Sequence, residues 1–208
     1  MKTFLIVLGV LAAIAVALVL FVSGQYNGLV NRSQAVDAQW AQVQNVYQRR
    51  ADLVPNLVAT VSGAANFEKS TLTEITEARA SVGKVQINSG TAPTDPAQLA
   101  AFDRAQGQLT SALSRLLVVA ENYPNLKATA NFQELQAQLE GTENRISVER
   151  GRFNDLARDY NAAIKRVPAV FFAGIMGFKE KAYFTAAAGA EIAPQVKFDF
   201  GKPAPAKP

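Results

Sequence analysis

The sequence predicts an all-α fold: one N-terminal membrane-spanning helix, followed by long helices that pack as a bundle or coiled coil. Three observations support this prediction. Residues 4–22 form an unbroken apolar run. From Tyr26 onward, apolar residues recur at alternating steps of three and four, which is the spacing of a buried seam between helices. No stretch alternates with period two over enough residues to form a core strand.

The apolar run from Phe4 to Val22 is long enough to cross a membrane. Its 19 residues rise about 28 Å as a helix, close to the roughly 30 Å hydrocarbon core of a bilayer. The alternative is a cleaved signal peptide, which usually has about 7–15 apolar residues and small residues at its cleavage site. Here the run is longer and ends in bulky residues. We therefore expect an uncleaved anchor over residues 1–23. The position of Lys2 slightly favours an N-terminus inside and the rest of the chain outside.

A first helical run covers residues 26–85, and Pro55 within it allows two interpretations. Asp52 could cap a new helix that has Pro55 in its first turn, where proline is tolerated. The apolar phase, however, continues through Pro55 and favours one kinked helix about 90 Å long. The seam residues on both sides of this proline include Trp40, Val43, Tyr47, Val54 and Leu57.

Two breaks separate this run from the later ones. A stretch dense in turn residues ends at Asp95-Pro96, where Asp95 is placed to cap a helix and Pro96 to occupy its first position. The second run covers residues 99–119. Its phase is lost around Pro124, which predicts a turn there, and the third run covers residues 132–167.

The two prolines stand in similar segments. Residues 55–60 and 124–129 agree in five of six positions. This suggests a duplicated helical hairpin in which Pro55 and Pro124 have the same structural role. Chance similarity between helices of similar composition is the alternative.

Composition excludes several kinds of chemistry. The chain has no Cys, so thiol and disulfide chemistry is absent, and no His, the commonest general base and metal ligand. The 21 basic and 17 acidic residues nearly balance and are scattered, which argues against nucleic-acid binding. We therefore predict no enzyme activity and no cofactor.

Charged residues near the seam are the remaining candidates for a site. A di-iron centre in a bundle needs Glu-x-x-His on two helices, and no His is available. Ion pairs that fix the register between helices are the favoured interpretation. The candidates are Arg49, Arg50, Asp52, Glu68, Glu77, Arg79, Glu121, Glu143, Arg145, Glu149 and Arg150.

An apolar segment follows Pro168. It is too short to span a bilayer, so it packs over the end of the bundle, contacts the membrane surface or mediates self-association. Nearby Lys179, Lys181 and Tyr183 suit an interface. The proposed contact residues are Phe171, Phe172, Ile175, Met176 and Phe178. Residues 186–208 are expected to form an extended or flexible tail, with one short edge strand at 194–200.

Ordered motifs along the chain resemble the LemA family. They include Gln48-Arg-Arg50-x-Asp52-Leu-Val-Pro55-Asn56, Glu121-Asn-Tyr-Pro124 and Leu139-Glu-Gly-Thr-Glu-Asn-Arg145. Two positions depart from the expected pattern: Asn66-Phe67 precedes Glu68 where many members have a His, and Phe153 stands where a Tyr is common. The family-motif residues to which we assign structural roles are Arg49, Arg50, Asp52, Pro55, Asn56, Glu121, Asn122, Tyr123, Pro124, Glu143, Asn144 and Arg145.

The resemblance implies an architecture more than a reaction. It implies a single N-terminal span, residues 1–23, and an antiparallel up-and-down four-helix bundle, residues 24–185. This architecture favours a helix boundary at Pro55. The expected location is the cytoplasmic membrane of a bacterium, with the bundle on the extracytoplasmic side.

Two functions remain open at this stage. The first is a membrane-anchored scaffold or interaction module that forms homo-oligomers, with another membrane protein as a further partner. The alternative is an extracytoplasmic ligand- or stress-sensing domain that acts through a separate membrane partner, which rests on fold analogy alone.

Overall fold

The computed structural model describes residues 1–64, 67–85 and 90–185. These residues contain no strand, so the predicted all-α fold is confirmed. The expected tail, with its edge strand at 194–200, lies outside the described residues. The elements are α1 (Lys2–Ser62), α2 (Lys69–Lys84), α3 (Pro96–Ala120), the single turn α4 (Pro124–Lys127), α5 (Ala130–Lys165) and a 3-10 turn (Ala169–Phe171).

The first helix runs without a break from the N-terminus to Ser62, and Pro55 lies inside it. The helix boundary that the family resemblance favours at Pro55 is therefore wrong, and the continuous apolar phase correctly predicts a helix through this proline. The single helix of about 90 Å that the same phase predicts over residues 26–85 is wrong, however, because α1 ends at Ser62 and α2 begins at Lys69. Pro55 is on the exposed side of α1, while Val54 and Leu57 are buried in the core. Because the buried stripe continues past the proline, core packing keeps the chain helical there.

The four long helices alternate in direction. Trp40 of α1 packs against Phe153 of α5, with ring centroids 5.4 Å apart, and Arg50, further along α1, pairs with Glu143, earlier in α5. These contacts make α1 and α5 antiparallel. Phe67, just before α2, packs against Tyr123, just after α3, and Glu74 of α2 pairs with Arg115 of α3. Because α2 and α3 are therefore antiparallel as well, the order is that of an up-and-down four-helix bundle.

The core has two clusters along the axis of the bundle. The distal cluster, far from the apolar run of α1, is formed by α1, α2, α3, α4 and α5 around Leu57, Leu109 and Leu116. The proximal cluster surrounds Trp40 and contains no residue from the interior of α2. There, residues 178–185, which we call the strap, lie beside α1 and α5 and contribute Phe184 to the core.

The helix ends follow the predicted chemistry. Asp95 caps α3, since its Oδ1 accepts a hydrogen bond from the backbone N–H of Ala97 at 2.8 Å, and Pro96 is the first helical residue. A turn separates α3 from α5, and Pro124 begins the short helix α4 within it. Pro55 lies in a helix interior and Pro124 at a helix start, so the two prolines do not share a structural role, contrary to the duplication hypothesis.

The N-terminal part of α1 stands apart from the bundle. An 18-residue window there has a mean hydropathy of 3.3 and no buried residue. By length and composition, this part of α1 can cross a membrane. The same helix then continues into the core of the bundle, where Leu29 and Val36 are its first fully packed residues.

Candidate functional site

The charged motif of α1 places one arginine in the centre of the bundle. Arg50 is 2% exposed. Its Nη1 donates to Thr110 Oγ1 at 2.7 Å and to Glu143 Oε2 at 2.8 Å, and its Nη2 donates to the side chain and the backbone carbonyl of Gln106. The guanidinium also lies over the Tyr47 ring, 5.2 Å from its centroid. Arg50 thus connects α1 to α3 and α5, and its position fixes their register.

Further ion pairs cross between helices, as the favoured interpretation of these charges predicts. Arg150 of α5 pairs with Asp103 of α3 at 2.8 Å, and Arg115 of α3 pairs with Glu74 of α2 at 2.8 Å. In the described part of the chain, no three acidic residues come close enough to hold a metal ion. The arrangement can therefore hold helices together, but the described residues form no group of metal ligands.

The other family-motif residues lie mostly at the surface. Tyr123 is half-buried against Phe67, with ring centroids 5.0 Å apart. Exposed motif residues are Arg49, Asp52, Pro55, Asn56, Glu121, Asn122, Pro124, Glu143, Asn144 and Arg145. The family-motif residues therefore do not form one site. They lie on α1, at the turn before and the start of α4, and on α5.

Two asparagines of α5 hold the strap, a role that the sequence analysis missed. Asn161 donates from Nδ2 to the carbonyl oxygen of Lys181 and accepts from its backbone N–H, both at 2.8 Å. Asn154 makes the same pair of bonds to Phe184, at 2.8 Å and 2.9 Å. Seven helical residues rise about 10.5 Å and three extended residues span about 10 Å. The spacing of the two asparagines therefore matches the extended strap.

A buried ion pair fixes the strap to α1. Lys181 is 6% exposed, and its Nζ donates to Asp37 Oδ1 at 2.8 Å. The same oxygen accepts from the backbone N–H of Ala92 at 2.8 Å, and the N–H of Ala182 donates to the carbonyl oxygen of Pro93 at 2.9 Å. The expectation that Lys181 helps to form a surface interface is wrong, because this contact takes it into the interior.

Aromatic packing completes the proximal cluster. Phe184 of the strap lies against Trp40 and Phe153, with ring centroids 6.0 Å and 5.7 Å away. The guanidinium of Arg150 also lies over the Phe184 ring, 4.3 Å from its centroid. The strap is therefore part of the core in the proximal half of the bundle.

The apolar segment after α5 is divided between packing and exposure. Phe172 and Phe178 are half-buried against the proximal cluster, and Phe178 contacts Tyr26 with ring centroids 5.5 Å apart. The other proposed contact residues point outward: Phe171 is 73%, Ile175 89% and Met176 38% exposed. Gly177, just before Phe178, has a φ of 84°, which suits a residue without a side chain.

A cavity of about 610 Å³ lies at the distal end of the bundle. Thr60 and Gly63 line one side of it, and Asn122, Tyr123 and Thr129 line another. Among the described residues that line it, none carries a charge. The cavity is within the size range of small-molecule sites, about 300–1,000 Å³, and its amides and hydroxyls suit an uncharged polar ligand.

Two buried tyrosines have perturbed acidity. Burial raises the pKa of the Tyr47 phenol above its usual 10.0, while the positive charges of Arg150 and Arg50 oppose this effect. Burial likewise raises the pKa of Tyr160, opposed by a hydrogen bond with Ser33. Both phenols therefore stay protonated at neutral pH, and neither shift prepares a group for acid–base chemistry near pH 7.

Comparison with known proteins gives a consistent result. The family model described as "LemA family" matches residues 39–198. The chain is 29% identical to the magnetosome protein MamQ of Magnetospirillum gryphiswaldense over 192 residues, which is 84% of this chain and 71% of that protein. It is 28% identical to MamQ 2 of Paramagnetospirillum magneticum, over 86% of this chain and 71% of the relative. Protein LemA of Metamycoplasma hominis is 23% identical, over 68% and 60% of the respective chains.

Proposed function

The chain belongs to the LemA family, and from this premise we propose that it is a membrane-anchored scaffold that acts through protein contacts, among them contacts between its own copies. It is a membrane-associated helical protein. The names of its relatives, magnetosome protein and LemA, assign no reaction to them. The proposal concerns what the bundle does at the membrane.

The continuity of α1 is the observation that carries this proposal. One helix contains both the candidate span and the first 39 residues of the bundle region, 24–62. In the bundle region it rises about 58 Å. Because no loop separates anchor from bundle, the orientation of the bundle is fixed relative to the span. A rigid connection of this kind suits a protein that presents surfaces at a set height and orientation.

The span itself has a face on which copies could pack. Small residues at Gly9, Ala13 and Ala17 in the span, and at Gly24 and Gly28 just beyond it, fall within an arc of about 100° on a helical wheel, which they share with Ile6, Val10 and Leu20. Small residues allow close approach of helices within a membrane. An added Cβ at any of these three glycines would meet no atom within 4 Å in the isolated chain, so the face is open.

Native mass measurement tests the proposal. Full-length protein is extracted in mild detergent and compared with Ala13→Leu, on the small-residue face, and Ala15→Leu, on the opposite face. We expect an assembly larger than the 22.3 kDa chain in the parent and in Ala15→Leu, and a smaller one in Ala13→Leu. A monomer in all three samples contradicts self-assembly. Equal assemblies in all three place the contact outside this face.

The orientation of the protein is a separate part of the proposal. We propose the bundle on the extracytoplasmic side, on the slight charge bias around the span. The chain has no Cys, so a single Cys at exposed Val118 reports its location alone. Labelling by a membrane-impermeant maleimide in intact cells is the expected result. Labelling only after lysis would mean that the bundle lies on the cytoplasmic side.

The distal cavity favours ligand sensing as a second candidate function. A sensing domain would bind an uncharged polar molecule between Thr60, Tyr123 and Thr129. The test is a thermal shift of the full-length protein with small amides and sugars, repeated with Thr129→Ala. A shift that this substitution removes supports sensing. A shift that survives Thr129→Ala argues against binding in this cavity.

A further inference from the structure

The exposed apolar side chains beyond the span are concentrated at one end of the bundle. Among the described residues, more than half of them belong to a single set, which we call the interfacial patch: Val167, Val170, Phe171, Ile175 and Met176. We infer that the interfacial patch is seated in the headgroup layer of the same membrane that α1 crosses. This inference rests on membrane anchoring through α1, which is part of the proposed function.

The alignment of α5 along α1 determines how far the interfacial patch lies from the span. Gly28 and Arg166 line the same groove, so α5 ends at the level of Gly28. Residues 166–169, which follow α5 directly, therefore lie at this level, and the chain moves away from the span again only in the strap, where Lys181 reaches Asp37. Phe178 also lies close to the span, since its ring contacts Tyr26, only four residues after Val22.

Bilayer dimensions place this level within the headgroups. Tyr26 lies about 6 Å beyond Val22 along the helix axis. The polar layer on each side of the hydrocarbon core is about 5–8 Å thick. Tilting of α1 lowers Tyr26 toward the hydrocarbon core. The segment that packs on Tyr26 thus reaches the depth at which aromatic and aliphatic side chains enter the interface.

The backbone holds the outward side chains in place. The N–H of Ala173 donates to the carbonyl oxygen of Ala169 at 2.8 Å, and the N–H of Met176 donates to that of Phe172 at 2.9 Å. The N–H of Phe178 then donates to the carbonyl oxygen of Ala173 at 3.0 Å. With Phe172 and Phe178 packed inward, these turns form a compact platform that presents Phe171 and Ile175.

Basic residues surround the patch. Arg32, Arg166 and Lys179 are exposed on neighbouring elements at the same end of the bundle. The nearby acidic residue, Glu180, pairs with Lys165 at 2.7 Å. Apolar side chains flanked by cationic ones match the composition of segments that lie in a membrane surface containing anionic lipids.

Depth-dependent fluorescence quenching tests the inference. The full-length chain has no Cys, so Ile175→Cys, Val118→Cys and Val16→Cys each accept one environment-sensitive fluorophore. Each protein is reconstituted in phosphatidylethanolamine–phosphatidylglycerol vesicles that contain lipids spin-labelled either at the headgroup or deep in the acyl chain. Val118 is an exposed valine of distal α3 and serves as the matched aqueous control, and Val16 reports the span.

We expect loss of emission at position 175 with the headgroup quencher, none at 118, and loss at 16 with the deep quencher. Emission at 175 that lipid quenchers leave unchanged, while position 16 is quenched, overturns the inference and leaves the anchor intact. A blue-shifted but unquenched probe at 175 overturns it in favour of a protein contact, such as a second copy. Absence of quenching at 16 contradicts anchoring itself, and with it the proposed function.

Discussion

Arg79 of α2 donates from Nε to the backbone carbonyl oxygen of Ala51 in α1, at 3.1 Å. Ala51 is four residues before Pro55, so its carbonyl is the helical acceptor that the missing N–H of this proline leaves unused. The Nε–H of Arg79 therefore donates to this carbonyl in place of the backbone N–H that Pro55 lacks. This contact explains how α1 continues through Pro55 while being attached to α2 at the same point.

A double-mutant cycle tests this relationship. Arg79→Met should lower the free energy of unfolding by about 0.5–1.5 kcal/mol in the parent protein, the usual net value of one hydrogen bond. In a Pro55→Ala background the residue at position 55 has its own N–H, so Arg79→Met should have almost no effect. Denaturant unfolding of the full-length protein in mild detergent gives both values. Equal losses in the two backgrounds mean that Arg79 does not compensate for the proline.

The asparagine contacts to the strap predict a local effect. Asn161→Leu leaves the backbone N–H and carbonyl of Lys181 without their partner in a buried position, which costs about 1–3 kcal/mol for each unsatisfied group. Amide hydrogen exchange in residues 178–185 should accelerate more than in the rest of the bundle. Asn144→Leu, at an exposed position of the same helix, is the matched control and should leave the strap protected. Unchanged exchange in Asn161→Leu would show that the strap is held by its aromatic contacts alone.

The buried ion pair between Lys181 and Asp37 predicts coupling between the two substitutions. Lys181→Met leaves a carboxylate unpaired in the interior and should cost about 3–5 kcal/mol, whereas the double variant Lys181→Met/Asp37→Asn should recover part of that loss. Thermal unfolding of the single and double variants measures the coupling. Additive losses would mean that the two charges do not stabilise each other.

Two adjacent arginines should differ strongly in their effect on stability. Arg50→Met removes the donors to Thr110, Glu143 and Gln106 in the core, and losses of about 3–5 kcal/mol are usual when one partner of a buried charged network is removed. Arg49→Met, at the exposed neighbouring position, should change stability by less than about 0.5 kcal/mol. Because Glu143 is half exposed, Glu143→Gln should cost much less than Arg50→Met. Similar losses for the two arginine variants would contradict a central role for Arg50.

The tyrosine pKa shifts predict sensitivity to alkaline conditions. Since Tyr47 and Tyr160 have raised pKa values in the folded state, their contribution to stability is complete below pH 10 and is lost as pH rises through the raised pKa. Tyr47→Phe/Tyr160→Phe should therefore flatten the fall in stability above pH 10. Denaturant unfolding at a series of pH values above 9 measures the free energy of unfolding of each variant, with Tyr26→Phe as the exposed control. An identical fall in parent and double variant would assign alkaline unfolding to other groups.

The apolar segment after Pro168 places its side chains in two different environments. Replacing Phe171, Phe172 and Phe178 together would confuse surface contacts with folding, because Phe172 and Phe178 pack against the core. Phe171 and Ile175 are the positions at which substitution leaves the bundle intact. Their exposure could not be read from the sequence, since all five proposed contact residues are apolar and share one segment.

The long apolar helix at the N-terminus, the helical seam and the cap at Asp95 are predictable from the sequence, because each depends on residues close together in the chain. The continuous spacing of the apolar residues correctly predicted that α1 runs through Pro55, where the family resemblance implied a helix boundary. Three contacts follow from the packing of the elements and could not be predicted from the sequence. They are the burial of Lys181, the hydrogen bonds of Asn154 and Asn161 to the strap, and the hydrogen bond from Arg79 to Ala51. These contacts join residues from different elements, and a side chain's partner across 20 or more residues is set by how the helices pack and not by local periodicity.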